Sequence, residues 1–429
     1  MNTFIRNTDL GEIQGLKLNN TIKYLGVRYA NAKRWAYATP VDSWDGVYDA
    51  TKIGNACPQF RTYDPEDQKD PKPFYYKEFR EGLDFNYDED CLFLDIYSPE
   101  NPNNAPVIIY IHGGAFLGGC GSELHMDGTA YAERGIIFIS INYRLGVLGF
   151  LCDRKLTQES GHSGNYGLYD QLEAIKWVHR HIRSFGGNPD NITLFGQSAG
   201  AMSIQQHCLS PLTKPYISQV YMASGAGIGT EFAAVSDVED SYDYFAELTE
   251  NLGDSPEEWR AVPTETVIKT FQQVIDEKLM SHCCPHIDGL LIPKDPAQAM
   301  ESMDYAQVPY ILSTNSEDMV PQFLHPMSRD FCKKVNENGG TAYYFYFSRQ
   351  LPGDDKGAFH SAELWYTMGS LGKCWRPMNQ IDYNISNMLV ASIAAFASTG
   401  NPNCRSIDCW IPFYSDEDAI IFSNEGLSN

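Results

Sequence analysis

Two short stretches, Val107 to Ile111 (VIIYI) and Ile136 to Ile141 (IIFISI), are apolar without polar alternation. A strand with one wet face alternates, so these runs predict strands covered on both faces. Leu168, Leu172, Ile175, Val178 and Ile182 recur at spacings of three and four, which predicts a covering helix stopped by Gly186-Gly187-Asn188-Pro189. Asn191 to Phe195 (NITLF) reads as the next strand, followed at once by Gly196-Gln197-Ser198-Ala199-Gly200 and a helix-compatible stretch from Ala201 to Leu209. Further strands are expected at Gln219 to Ala223, Pro309 to Thr314 and Thr341 to Phe347. A late helix carries Ile385, Leu389, Ile393 and Phe396 on one stripe. This succession predicts an α/β fold, a mostly parallel central sheet with helices on both faces. Between Gly225 and Val308 the pattern changes to acidic, helix-prone segments, Val238 to Leu252 and Thr264 to Leu279, broken by Pro256, Pro263 and Pro285. We read residues 225–308 as a short helical cap inserted into one α/β domain spanning residues 1–429. The segment Thr62 to Tyr87 holds Phe74, Tyr75, Tyr76, Phe79, Phe85 and Tyr87 among charges, as a surface loop with aromatic anchors or a pocket lining would.

Charge narrows the partners. Lys plus Arg number 32 against 55 Asp plus Glu, a formal net charge of −23 that repels phosphate backbones and anionic lipid surfaces. Nucleic acid and membrane are therefore not expected as partners. No run approaches the roughly 20 apolar residues of a spanning helix, and Met1 to Leu10 lacks the basic-then-apolar pattern of a signal peptide. Eleven cysteines, an odd count dispersed over a long chain, are expected to be mostly thiols, so a cytoplasmic location is expected. Neither a GxxxxGK[ST] loop nor a GxGxxG after a strand is present, which removes the usual support for nucleotide binding.

Ser198 is the candidate nucleophile. A glycine two residues away on each side lets a strained strand-to-helix turn lift the hydroxyl above the sheet edge without Cβ clashes. Upstream, His112-Gly113-Gly114-Ala115-Phe116 ends a strand, and its small residues let backbone N–H groups approach an acyl oxygen that gains negative charge. The N–H groups of Gly114, Ala115 and Ala199 are the expected oxyanion donors. His112 itself is expected to be a structural hydrogen-bonding residue. The order nucleophile, acid, base leaves His207, His282, His286, His325 and His360 as possible bases, and only His360 follows the strand at Thr341 to Phe347. The acid must lie between, and Thr314-Asn315-Ser316-Glu317-Asp318 offers two carboxylates that spacing does not separate. His282-Cys283-Cys284-Pro285-His286 packs four metal-ligand types into five residues, too close to surround one tetrahedral ion, so no metal is expected.

At this point the chain resembles the type-B carboxylesterase and cholinesterase family of α/β-hydrolases. Glu89-Asp90-Cys91-Leu92-Phe93-Leu94-Asp95-Ile96-Tyr97 is similar to the family's SEDCLYLNIW signature, and Asn142-Tyr143-Arg144-Leu145-Gly146 with Gly149-Phe150 to its NYRLG and GF block. The likeness runs from about Gly11 to Asn403, through GNYGLYDQ, FGGNP and GQSAG, with a shorter cap and N-terminal loops than usual. It implies a cofactor-free site with Ser198 as nucleophile, His360 as base, and Gly114, Ala115 and Ala199 as oxyanion donors. It also implies Asp318 as the acid, at the place of the Glu in an NxxEG-like segment. Here Asp is shorter than that Glu, Met319 replaces the Gly, and Gln197 stands where the elbow often has Glu. The resemblance further implies that Ser224 can support the acid and that Cys57 and Cys91 match two cysteines bridged in many relatives.

The function expected is a serine carboxylesterase acting on a small-molecule ester through an acyl-enzyme. A catalytically silent binding module of the same fold, or a triad enzyme cleaving amides or thioesters, stands as the alternative. The natural ester and the oligomeric state are not legible in the sequence.

Overall fold

A computed structural model describes residues 2–59, 74–228, 235–274 and 283–428. Twelve strands, with the short strand Val47–Asp49 at one side, form a single sheet. They are β1 (Asn2–Thr8), β2 (Gly11–Leu18), β3 (Thr21–Arg28), β4 (Phe93–Pro99), β5 (Ala105–Ile111), β6 (Ile137–Ile141), β7 (Gly187–Gln197), β8 (Gln219–Ala223), β9 (Tyr310–Asn315), β10 (Ala342–Phe347), β11 (Ile420–Ser423) and β12 (Gly426–Ser428). Their spatial order is β1-β2-β3-β4-β6-β5-β7-β8-β9-β10-β11-β12. From β6 through β11 every neighbour is parallel, while β1 to β4 run antiparallel along one edge. The expected strands all form, within a residue or two of their predicted ends except β7, which extends to Gly187–Gln197. The antiparallel N-terminal edge was not anticipated, because β1 and β2 are largely polar and partly exposed, and β3, though mainly buried, is broken by Lys23 and Gly26.

The helices that matter to the site are α1 (Phe74–Phe79), α2 (Tyr166–His181), α3 (Ala199–Leu209), α4 (Val238–Leu252), α5 (Thr264–Val274), α6 (Pro321–Glu337) and α7 (Gln380–Thr399). The predicted stripe of α2 is buried at Leu168, Leu172, Ile175 and Val178, with Ile182 in the 3-10 turn that follows. On α7, Ile385, Leu389, Ile393 and Phe396 are buried against the opposite face of the sheet from α2, so two separate apolar cores sandwich it. Of the stretch Thr264 to Leu279, the part after Val274 lies outside the described residues, as do Thr62 to Pro73 of the aromatic segment.

The motif residues explain themselves by packing. Arg144 is buried, and its guanidinium grips the buried Asp170 carboxylate with Nε and Nη2 at 2.7 Å each while Nη1 donates to the Ala36 carbonyl at 2.8 Å. This bidentate pair ties the loop after β6 to α2. No described helix is long and apolar enough to cross a membrane. The expected α3 begins two residues earlier than the sequence pattern indicates, directly after Ser198, because Ser198 is itself the last non-helical residue.

Close approach of backbone decides how α3 sits on the sheet. A Cβ added to Gly200 would lie 2.0 Å from the Ile111 carbonyl oxygen at the end of β5, a contact that only glycine avoids. Gly200→Ala is therefore expected to destabilise the fold by about 1–3 kcal/mol, the usual cost of overpacking, read as a lower midpoint in urea unfolding.

Candidate active site

Ser198 occupies the sharp turn between β7 and α3 with φ 56° and ψ −127°, a conformation costly for a residue with a Cβ. The turn is clamped: Ser198 N–H donates to the Ala223 carbonyl at 2.8 Å, and Met202 N–H donates to the Ser198 carbonyl at 2.9 Å. Beneath it, a Cβ on Gly225 would fall 2.1 Å from the Ser198 carbonyl oxygen. The hydroxyl thus stands at the N-terminus of α3, where the helix dipole favours negative charge.

The loop after β5 bends over this turn. Gly114 has φ 114° and Ala115 φ 55°, and the Gly114 carbonyl is bonded by the N–H groups of Leu117 and Gly118 at 3.1 Å. The N–H groups of Gly114 and Ala115 have no acceptor among the described residues, and Ala199, first residue of α3, has none within its helix. His112 stacks on Tyr143 at 4.5 Å, with its Nδ1 2.8 Å from the Gly113 carbonyl oxygen.

His360 is buried, and its Nδ1 lies 2.7 Å from Asp318 Oδ1. The other Asp318 oxygen accepts from Ser224 Oγ at 2.9 Å and from the Asn315 backbone N–H at 2.8 Å. The two carboxylates left open by spacing separate here: Asp318 is 5% exposed beside His360, whereas Glu317 is exposed and accepts from the Ala358 N–H at 2.8 Å. The shorter Asp reaches the imidazole without difficulty. Met319, 62% exposed, lies at the pocket rim.

The other histidines considered as bases are engaged elsewhere. His207 is held between Gln171 Oε1 and Thr213 Oγ1, with burial pushing its pKa down to about 3. His325 meets the Asn315 carbonyl at 2.8 Å, and His286 packs under Gly164. His282 lies outside the described residues. Among the described residues, no group of His, Cys, Asp and Glu could hold a metal ion.

Three contacts were not foreseen. Gln197 Nε2 stands 3.1 Å from His360 Nε2. Since His360 Nδ1 bears the hydrogen shared with Asp318, Nε2 is an acceptor and the amide is its donor. Tyr75 of α1 donates its hydroxyl to the His360 carbonyl at 3.1 Å, bringing the aromatic segment against the base. Glu363, wholly buried three residues after His360, accepts a hydrogen bond from Asn315 Nδ2 through Oε2. Burial, reinforced by the nearby Asp318 charge, pushes its carboxyl up to about 7. The sequence signals Glu363 only by its place three residues after His360.

Ser198, His360, Gly114 and Ala115 line one pocket with about 670 Å³ of empty space including its open mouth, walled in part by Tyr75 and Phe79. Cys57 and Cys91, the pair matched to bridged cysteines, are thiols here, in hydrogen-bond contact with each other, and none of the eleven cysteines is in a disulfide.

The sequence matches the Carboxylesterase family over residues 2–330. The chain belongs to the carboxylesterase family. It is 33% identical to para-nitrobenzyl esterase of Bacillus subtilis over 326 residues, 73% of this chain and 63% of that protein. It is 32% identical to acetylcholinesterase of Danio rerio over 337 residues, covering 72% of this chain and 50% of the relative. The match to the bacterial esterase thus spans less than two thirds of its length. Among solved structures, one of a PNB esterase superposes with a TM-score of 0.85 at 24% identity, covering 99% of this chain and 96% of that one. The fold is accordingly that of the α/β-hydrolases, as the resemblance implied.

A carboxyl whose pKa rises on folding makes the folded state bind more protons than the unfolded one between the two pKa values. Glu363 should therefore lower stability progressively as pH rises from about its ordinary 4.5 to about 7, with no further change above. Tm measured from pH 4.5 to 8 is expected to fall more for the native protein than for Glu363→Gln, and parallel curves would count against a buried, proton-binding Glu363.

Proposed function

We propose that this carboxylesterase-family protein hydrolyses carboxylic esters through an acyl-enzyme on Ser198. The observation that carries the reading is the 2.7 Å contact of Asp318 with His360 in the same pocket as a strained, helix-capping Ser198. Asp318 holds the Nδ1 hydrogen and so leaves Nε2 to accept the Ser198 proton. Ser198 Oγ attacks the ester carbonyl carbon, and the oxygen that becomes negative is met by the N–H groups of Gly114, Ala115 and Ala199. Collapse breaks the bond to the alcohol, whose oxygen takes the proton from His360. Water then attacks the acyl-enzyme with His360 as base, releasing the acid and restoring Ser198.

Ser224 and Asn315 act on Asp318 rather than on substrate, holding the carboxylate by its far oxygen. Gln197 holds His360 Nε2 in the resting site, so the amide must yield that lone pair to the serine hydroxyl when substrate arrives. Residues 225–308 are proposed as the cap over a single catalytic domain of residues 1–429. A cytoplasmic setting is proposed on the eleven thiols. The substrate is a small-molecule ester, with neither nucleic acid nor membrane proposed as a partner, on the −23 charge.

Hydrolysis of p-nitrophenyl esters from acetyl to decanoyl tests the reading: turnover is expected in the native protein and a loss of at least about 10³-fold in Ser198→Ala. Serine-independent turnover would overturn the acyl-enzyme on Ser198, and no turnover together with no labelling of Ser198 by an activated phosphonate would favour a silent binding module. Gln197→Glu would set a carboxylate against His360 and favour its protonated form, so the acid limb of the pH–rate profile is expected to move to higher pH. An unmoved limb would show that Gln197 does not contact the base in solution.

A further inference from the structure

The inner wall of the pocket beside Ser198 carries hydrogen-bonding groups with nothing to bond. Tyr110 in β5, His112 just beyond it and His125 all line this pocket and are each at least 98% buried. Among the described residues, the Tyr110 hydroxyl, His112 Nε2 and both ring nitrogens of His125 have no hydrogen-bond partner. His112 Nδ1 faces the Gly113 carbonyl oxygen at 2.8 Å, so that nitrogen bears the hydrogen and Nε2 is a bare acceptor. A neutral His125 offers one donor and one acceptor, and the Tyr110 hydroxyl can be either. The complement of this wall is a group that both donates and accepts. A hydroxyl does both, and an alkyl chain does neither.

Charge narrows the class further. Arg80 Nε is bonded to Glu123 Oε1 at 2.7 Å, and Glu123 Oε2 lies 4.0 Å from His125 Nδ1. An anion entering here would meet the Glu123 carboxylate and a cation would meet Arg80, so the pair admits neither cleanly. Burial pushes His112 down to about 4 and His125 to about 3, which keeps both imidazoles neutral. An uncharged polar group remains. Its half of the ester follows from His360, which hands its proton to the departing oxygen: Phe79 touches His125 on one side and stacks on Tyr75 on the other, and Tyr75 bonds the His360 carbonyl, so this wall runs on to His360 and the alcohol lies on this side. The Phe79 ring, 4.3 Å from His125, supplies an apolar wall for the intervening carbons.

We propose that Tyr110, His112 and His125 form a subsite for an uncharged, hydroxyl-bearing alcohol portion of the ester, which rests on the esterase reading of the site above. Such a subsite discriminates because an alkyl occupant displaces water and leaves buried donors and acceptors unpaired.

Binding to Ser198→Ala protein carrying ¹⁵N-labelled histidine tests the subsite without turnover. Butane-1,4-diol is expected to bind about tenfold more tightly than butan-1-ol, the worth of one neutral hydrogen bond, and to shift the imidazole nitrogens of His112 and His125. Adding His125→Phe or Tyr110→Phe should bring the ratio to about one; where His125→Phe does not fold, Tyr110→Phe removes a single oxygen and gives the same reading. Equal binding of the two alcohols, or a preference that survives both substitutions, overturns the proposal. The esterase reading fails separately, if the native protein releases no butanol from butyl acetate in a Ser198-dependent manner. With turnover, 4-hydroxybutyl acetate is expected to exceed butyl acetate about tenfold in kcat/KM, and a ratio of one overturns the subsite as well.

Discussion

Everything at the site depends on one strained backbone turn. Ser198 sits at φ 56° and ψ −127°, and such a conformation persists only where the surroundings over-determine it. Here they do so through β7 below, α3 above and the Ala223 carbonyl at its side. The tight seat of Gly200 on Ile111 brings the start of α3 against the end of β5. That contact seats Ser198, at the head of α3, in the same pocket as the Gly114 and Ala115 loop. A longer side chain at Gly200 or Gly225 would separate these layers and shift Ser198 away from the loop of Gly114 and Ala115.

Asp318 and His360 are assembled from the far half of the chain. Asn315 ends β9 and works in three directions. Its N–H holds Asp318, its side chain holds Glu363 and the Phe359 carbonyl, and its own carbonyl meets His325. The loops carrying Asp318 and His360 are thus locked by backbone and amide hydrogen bonds rather than by surface ion pairs, which salt would screen. Tyr75 adds a contact from the N-terminal third of the chain, so His360 is held from both sides.

A chain of net charge −23 nevertheless builds a nearly neutral pocket. Arg80 is matched by Glu123, burial keeps His112 and His125 uncharged, and Glu363 binds its proton up to about pH 7. The excess acidity lies elsewhere, in segments such as α4 whose Asp and Glu side chains are largely exposed.

The central strands and covering helices were legible because burial on two faces leaves runs such as VIIYI and a three-four stripe along α2. Ser198 and the glycine-rich loop were legible because strained turns and close backbone approaches demand particular small residues at fixed spacing. Chain order limited the base to His360, and resemblance to a known family selected Asp318. Local pattern could not tell Asp318 from Glu317, since both are acidic residues of one loop; only the fold buries one beside the imidazole and leaves the other in solvent. The antiparallel edge, the Gln197 amide on His360, the proton-binding Glu363 and the unpaired wall of Tyr110, His112 and His125 were likewise decided by tertiary structure. Each arises where segments distant in sequence meet, and burial there, not residue type, sets which polar groups find a partner.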